Sequence, residues 1–326
     1  MQAQKLDVHG LSIPGTDHKK NHDHFAIATL NKSMRLHQSN LSIDDESRVH
    51  GHNQGHLFLV ADGIGGAPAP ARASGEAVDS VVHYFLNEMP WYHLADGDPA
   101  DVTLALQDAI HNAQDELLTG AAPHQTGMGT TMTLAFLLWP DLYLAHVGDS
   151  RCYLSRGRDL ERLTTDHTLA QVRREAGGKV TKRARNVLWN AVGGQGSEVQ
   201  PDVRHVRLQT GDVLALVTDG VTGETPDREL ERALSLDLPS ADVCDRILRG
   251  SGRDDRTAIV VRFLPLEDEP AVVPAAPDPS SLRAEQERRL PKIEPRDCGT
   301  LRKIAEDAPE NTSGDAPGET PFRTAQ

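Results

Sequence analysis

The sequence predicts an α+β layered fold, and two patterns carry that prediction. Short apolar runs that read as buried strands recur at residues 25–29, 57–61, 131–138, 142–147, 213–218 and 257–263. Between them lie longer stretches with apolar residues at helical spacing. Strands in groups with helices between them bury their apolar faces by stacking as layers.

Each element has its own justification. Residues 71–86 place Ala73, Ala77, Val81 and Phe85 on one helical face, and residues 101–118 do the same with Val102, Leu106, Ala109, Ile110, Ala113 and Leu117. A third helix is predicted over 227–236, and a fourth capped by Ser240 and ending near Gly250. The polar stretch 31–56 reads as a long loop between strands. Composition changes after Leu264, where proline, acids and small residues dominate. Such a segment buries too little apolar surface to offset its ordering entropy. The expected organisation is therefore one folded unit, 1–264, and a disordered tail, 265–326. The amphipathic pattern at 281–290 reads as solvated.

Of the 326 residues 38% are hydrophobic and 25% charged, as in a soluble globular protein. A formal net charge of -14 argues against nucleic acid or an anionic membrane as main partner. No apolar run is long enough to span a bilayer, and the N-terminus lacks the basic-then-apolar pattern of a secretory signal. Three widely spaced cysteines, Cys152, Cys244 and Cys298, suit reduced thiols. The expected location is cytoplasmic.

The chemistry is written in where the acids fall. The run 57–61 ends in Asp62-Gly63, 213–218 in Asp219-Gly220, and 142–147 in Gly148-Asp149; Asp254-Asp255 precedes 257–263, and Asp23 precedes 25–29. Any one Asp-Gly is a turn by default. Five acids at the mouths of buried strands are harder to dismiss, because buried carboxylates repel one another unless paired or bound to a cation. Oxygen ligands without His or Cys spacing favour magnesium or manganese over zinc.

With these residues stand Asn21-His22-Asp23, VADGIGG at 60–66, GMGTT at 127–131, VGDSR at 147–151, LTTDHTL at 163–169, NAVGG at 190–194, TDG at 218–220 and RDDRTAIVV at 253–261. In this order and spacing the chain, over roughly residues 6–264, resembles the metal-dependent type 2C (PPM-type) serine/threonine protein phosphatases. The resemblance implies a four-layer α-β-β-α sandwich of two antiparallel sheets flanked by helices. It also implies two Mn2+ or Mg2+ ions, with Asp62 bridging them, Gly63 offering its carbonyl to one, and Asp219 and Asp254 binding the other. Asp23 is then expected to hold a water at the metals, Asp149 to serve a third ion, and phosphorylated substrates of a serine/threonine kinase to be the partners.

Four positions depart from the family pattern. Where an arginine clamps phosphate in many bacterial members, this chain has His18, followed by Lys19 and Lys20, so the clamp falls to one of these three. His22 replaces a glutamate, Ile64 stands where some members have histidine, and Gly223 replaces an aspartate that would support the third metal. These departures motivate a second reading, a catalytically weak module that binds phosphoproteins or a partner on the same fold. The cations at 173–185 form a basic island, which by default is a solvated helix and loop, while the resemblance implies a flap beside the active site that can contact a phosphopeptide.

Overall fold

The computed structural model describes residues 4–17, 20–35, 48–65, 70–89, 98–120, 129–193, 198–250 and 252–266. His18, Lys19 and the predicted tail beyond 266 lie outside the described residues.

Two antiparallel sheets form the centre. The first joins β1 (Lys5–Ile13), β12 (Arg256–Leu264), β11 (Val213–Val217), β7 (Arg151–Arg156) and β8 (Asp159–Arg162), in that order. The second runs β10 (Asp202–Arg207), β6 (Asp141–Val147), β5 (Met132–Leu138), β3 (Arg48–Ile64), β4 (Gly129–Thr130) and β9 (Val192–Gly193), with β2 (Asp23–Arg35) paired to β3. The helices are α1 (Pro70–Asn87), α2 (Pro99–Gly120), α3 (Leu169–Glu175), α4 (Lys182–Arg185), α5 (Asp219–Thr222), α6 (Asp227–Leu234) and α7 (Ser240–Ile247).

Strand alternation explains the layering. On β3, Leu57, Leu59 and Ala61 pack with Val81 and Phe85 of α1 and Leu106 and Ile110 of α2. Phe58 and Val60 point the other way, into a core shared with Leu214 and Leu216 of β11 and Ile259, Val261 and Phe263 of β12. The opposite faces of β11 and β12, Ala215, Val217, Ala258 and Val260, meet Leu230 and Leu234 of α6 and Val243 and Ile247 of α7. These three cores separate four layers, α-β-β-α. They also explain the unbroken apolar runs, since each central strand is buried on both faces.

Two expectations are corrected. Much of the polar stretch 31–56 is strand: β2 and β3 continue their ladder through Asn31↔Gln54, Ser33↔His50, Met34↔Val49 and Arg35↔Arg48. Backbone hydrogen bonds can hold a two-stranded ribbon through a mostly polar sequence, so hydropathy misses it. Ser240 is the first helical residue of α7 rather than its cap; Pro239 occupies the cap position. Asp7 of β1 supplies the missing acceptors, taking the Ser240 N–H at its carboxylate (2.7 Å) and the Ser240 hydroxyl at its carbonyl (2.7 Å). Among the described residues no helix is long and apolar enough to cross a membrane.

Candidate active site

The site lies where the core between the two sheets ends. Asp23 and Asp62 face each other in the β2·β3 register, each two residues beyond an inward position, Phe25 and Val60. Thr218 follows Leu216 of β11 by two residues, and Thr257 precedes Ile259 of β12 by two. Period-two geometry therefore delivers two acids from one sheet and two hydroxyls from the other to one place. Both hydroxyls donate to Asp23 Oδ2, Thr218 at 2.8 Å and Thr257 at 2.7 Å. One carboxylate oxygen thus ties the sheets together, while Asp23 Oδ1 is buried with no hydrogen-bond partner among the described residues.

Asp62 is fixed through its backbone. Its N–H donates to Thr131 Oγ1 (3.0 Å), and its carbonyl accepts from Thr131 N–H (2.8 Å) and Thr130 Oγ1 (2.8 Å). Gly63 follows under tight constraint: a Cβ there would sit 2.2 Å from the Pro70 carbonyl oxygen. Its N–H donates to the His22 carbonyl at 3.2 Å. Asp219 opens α5 and Asp149 follows β6; the Oδ1 atom of each is buried without a partner among the described residues. Asp254 precedes β12 and accepts the Asp255 N–H at 3.0 Å.

The acids act on one another. Burial lifts Asp62 well above the ordinary carboxylate range, and the charges of Asp23, Asp219 and Asp254 lift it further. Asp254 is pushed up to about 8 by burial and then by Asp219. Asp23 is raised to about 7, chiefly by burial, against the opposing pull of its two threonine donors. Asp149 is raised by burial and by Asp219, and Asp219 itself chiefly by burial. All five sequence-predicted acids therefore share one electrostatic neighbourhood.

That neighbourhood fits divalent cations. Among the described residues no three such side chains are set around a common point as ready-made ligands. The fit rests instead on three buried, unpartnered carboxylate oxygens, on Asp23, Asp149 and Asp219. Buried acceptors are almost always satisfied, so each orphan calls for a donor or a cation. The donors are hard oxygens, which suit magnesium or manganese.

The remaining predicted residues separate. Lys20 is exposed in the loop after β1. The His22 ring turns toward Asp255, with Nδ1 3.7 Å from Oδ2. Ile64 is buried with Leu188 and Ala191. Gly223 closes α5, its N–H donating to the Asp219 carbonyl at 2.6 Å, and Glu224 lies near the Arg253 N–H at 3.4 Å rather than replacing the missing acid. Sequence reasoning missed Asp255, which accepts the backbone N–H of Gly15 (2.7 Å) and of His22 (2.8 Å) and so fixes the first loop against the Asp254 segment. It also missed Thr131, Thr218 and Thr257. The available signal was a polar residue at an inward position just where each strand ends.

Comparison with known proteins agrees with this fold. The family model described as protein phosphatase 2C matches residues 14–190, more than half of the chain. Protein phosphatase PhpP of Streptococcus pneumoniae is 30% identical over 223 residues, covering 63% of this chain and 85% of that protein. Serine/threonine protein phosphatase PstP of Mycobacterium tuberculosis is 31% identical over 215 residues, covering 63% of this chain and 40% of PstP. The solved catalytic domain of PstP in complex with 2 manganese ions superposes with a TM-score of 0.61 at 24% identity, covering 80% of this chain and 99% of that one.

Proposed function

The chain belongs to the protein phosphatase 2C family, and from that premise we propose that it removes phosphate from serine and threonine side chains of proteins by metal-dependent hydrolysis. The observation that carries this is the set of orphaned carboxylate oxygens on Asp23, Asp149 and Asp219 at one end of the sandwich. Two cations would be held by Asp62, the Gly63 carbonyl, Asp219 and Asp254, with Asp149 available to a third. The PstP catalytic domain holding manganese supports Mn2+ as the first ion to test, with Mg2+ beside it. When bound, such ions acidify water for in-line attack on phosphorus and neutralise charge in the transition state.

The chain's own groups do the rest. Thr218 and Thr257 lock Asp23 Oδ2, so the free Oδ1 has a fixed direction and can orient a water and take its proton. Thr130 and Thr131 set the Asp62–Gly63 backbone. Among the described residues a thiol nucleophile finds no support: Cys152 and Cys244 are buried, and burial pushes the Cys244 thiol up to about 12. Phosphate recognition we assign to the loop holding His18, Lys19 and Lys20. Its neighbours Thr16 and Asp17 donate their N–H groups to the carbonyls of Gly252 and Arg253, both at 3.1 Å, which ties the loop to the Asp254 segment. We assign the activity to residues 1–264, its setting to the cytoplasm, and its substrates to products of a serine/threonine kinase.

Phosphate release from a phosphothreonine and a phosphotyrosine peptide, with Mn2+, Mg2+ or excess EDTA, tests the reading. Turnover of the phosphothreonine peptide that depends on metal supports it. Equal turnover in EDTA overturns it, and metal binding without turnover favours the binding-module reading.

A further inference from the structure

The turn that carries Asp149 is gripped by one residue. The His167 N–H donates to the Gly148 carbonyl (2.7 Å), and the Gly148 N–H donates back to His167 Nδ1 (3.1 Å). Both polar groups of the Gly148 backbone therefore end on His167. Gly148 itself has a φ of 106°, and a Cβ there would lie 2.6 Å from Thr131 Cβ and Cγ2. Thr131 in turn accepts the Asp62 N–H (3.0 Å) and bonds the Ser150 hydroxyl (2.8 Å). The turn is thus held by His167 and packed on the threonine that anchors Asp62.

The partners of the His167 ring assign its proton. Gln200 fixes the orientation of the Asn190 amide: its carbonyl accepts from Nδ2 (2.7 Å) and its N–H donates to Oδ1 (3.1 Å). Asn190 Nδ2 also donates to His167 Nδ1, at 2.9 Å. Nδ1 faces two donors, the Gly148 N–H and the Asn190 amide, and is therefore the bare nitrogen. The proton sits on Nε2, which donates to Asp202 Oδ2 at 3.1 Å. The ring packs against His146 and Trp189, with each centroid 4.9 Å away. His167 is buried, whereas Asp202 is exposed on the edge strand β10. A continuous path of hydrogen bonds runs from the surface at Asp202 through His167 to the turn beside the acids.

Asp149 has little other support. Its Oδ1 is buried with no partner among the described residues, and Gly223 leaves no carboxylate at the position expected to support its ion. We propose that His167, kept as the Nε2–H tautomer by Gly148, Asn190 and Asp202, is a positioning residue that aims Asp149 at a divalent cation. The inference rests on the phosphatase reading above for the presence of the cation. A proton on Nδ1 would meet the Gly148 N–H and the Asn190 amide donor to donor and release the turn. Losing a group that orients a metal ligand costs about 10- to 100-fold in metal affinity.

The test uses the full chain. In the metal-free protein, long-range 1H–15N correlation of the His167 ring is expected to show the proton on Nε2, and the Gly148 amide to exchange slowly. Electron paramagnetic resonance counting of free Mn2+ then reads affinity. Wild type is expected to take a weaker ion beyond the two-cation centre, lost in Asp149→Asn. Two amide variants separate the halves of the ring. His167→Gln keeps a donor for Asp202 but no acceptor for the Gly148 N–H, and is expected to weaken that ion about tenfold or more with the tighter ions unchanged. His167→Asn keeps the acceptor and loses the contact with Asp202, and is expected to bind the weaker ion as wild type does. A histidine that only stabilised the fold would move both variants, and all ions, alike.

A proton on Nδ1 in wild type overturns the proposal even if neither variant folds. So does a folded His167→Gln that binds the weaker ion normally, equal losses in the two variants, or a wild type with tight ions and no weaker one. If wild type binds no Mn2+ at all, the phosphatase reading fails instead. Exchange of the Gly148 amide, fast in His167→Gln and slow in His167→Asn, then still decides whether His167 holds the turn.

Discussion

Asp23 and Asp62 stand directly opposite each other across the β2·β3 ladder, two buried carboxylates at one cross-strand position. Like charges so placed destabilise a sheet. Three further observations belong with it: both acids are raised by burial and neighbouring charge, Asp23 Oδ1 has no partner among the described residues, and two hydroxyls from the other sheet hold Asp23 in place. The fold gives up stability to keep this arrangement, and cation binding would restore it.

Removing one charge should therefore separate stability from activity. Asp23→Asn keeps the shape and an acceptor for the threonine hydroxyls. In EDTA at pH 8 the variant should be more stable than wild type by roughly 1 kcal/mol or more, read by urea denaturation, because a carboxyl raised to about 7 is costly when ionised. Turnover of a phosphothreonine peptide in Mn2+ should fall about a hundredfold or more. A variant both less stable without metal and fully active would contradict this.

Gly63→Ala tests the backbone next to Asp62. Its Cβ would lie 2.2 Å from the Pro70 carbonyl oxygen, and neither main-chain segment has a flexible end to give way. The expected cost exceeds about 2 kcal/mol, with loss of Mn2+-dependent turnover. An unchanged melting temperature would show that α1 can move away from β3.

How much of this was legible in the sequence depends on burial. Runs such as Val213–Val217 announce themselves because both faces are buried, and the acids at their ends follow from the same register. β10, Asp202–Arg207, is an edge strand with charged residues and pairs only with β6, so its hydropathy says little. Residues 31–35 and 48–56 continue the β2·β3 ladder through a mostly polar sequence, which hydropathy does not mark as strand. Asp255 could be seen as one of two adjacent acids. That it, rather than Asp254, holds Gly15 and His22 depends on contacts more than 230 residues apart in sequence, with separations of 240 and 233.

His146 sets a pH dependence of its own, apart from the acids of the candidate site. It is fully buried between Thr133 (2.9 Å) and the Thr165 carbonyl (3.1 Å), and burial lowers its pKa to about 3. The unfolded ring titrates at about 6.5. Its folded pKa is depressed, so the unfolded state binds more protons between those values, and stability falls as pH drops below about 6.5. At pH 5.5 the loss is roughly 1 kcal/mol relative to pH 7.5. Urea denaturation of wild type and His146→Gln at both pH values checks this. The advantage of wild type should shrink by that amount at pH 5.5; an advantage that stays constant would contradict it.

The first loop offers a kinetic test of phosphate recognition. If this loop is the clamp, histidine and lysines would hold phosphate more loosely than a guanidinium that binds bidentately. His18→Arg should lower KM several-fold with little change in kcat if the contact is alike in ground and transition states. A raised KM in Lys20→Ala, with His18 variants unchanged, would move the role to the lysine.

The most direct measurement is a calorimetric titration of the metal-free protein with Mn2+, run in parallel on Asp62→Asn and Asp219→Asn. If the buried acids are a two-cation centre, wild type binds two equivalents with release of protons, since carboxyls raised by burial must ionise to bind. Each variant then loses at least one of the two. Wild type that binds no Mn2+, or variants that bind it with wild-type stoichiometry and affinity, would contradict the account.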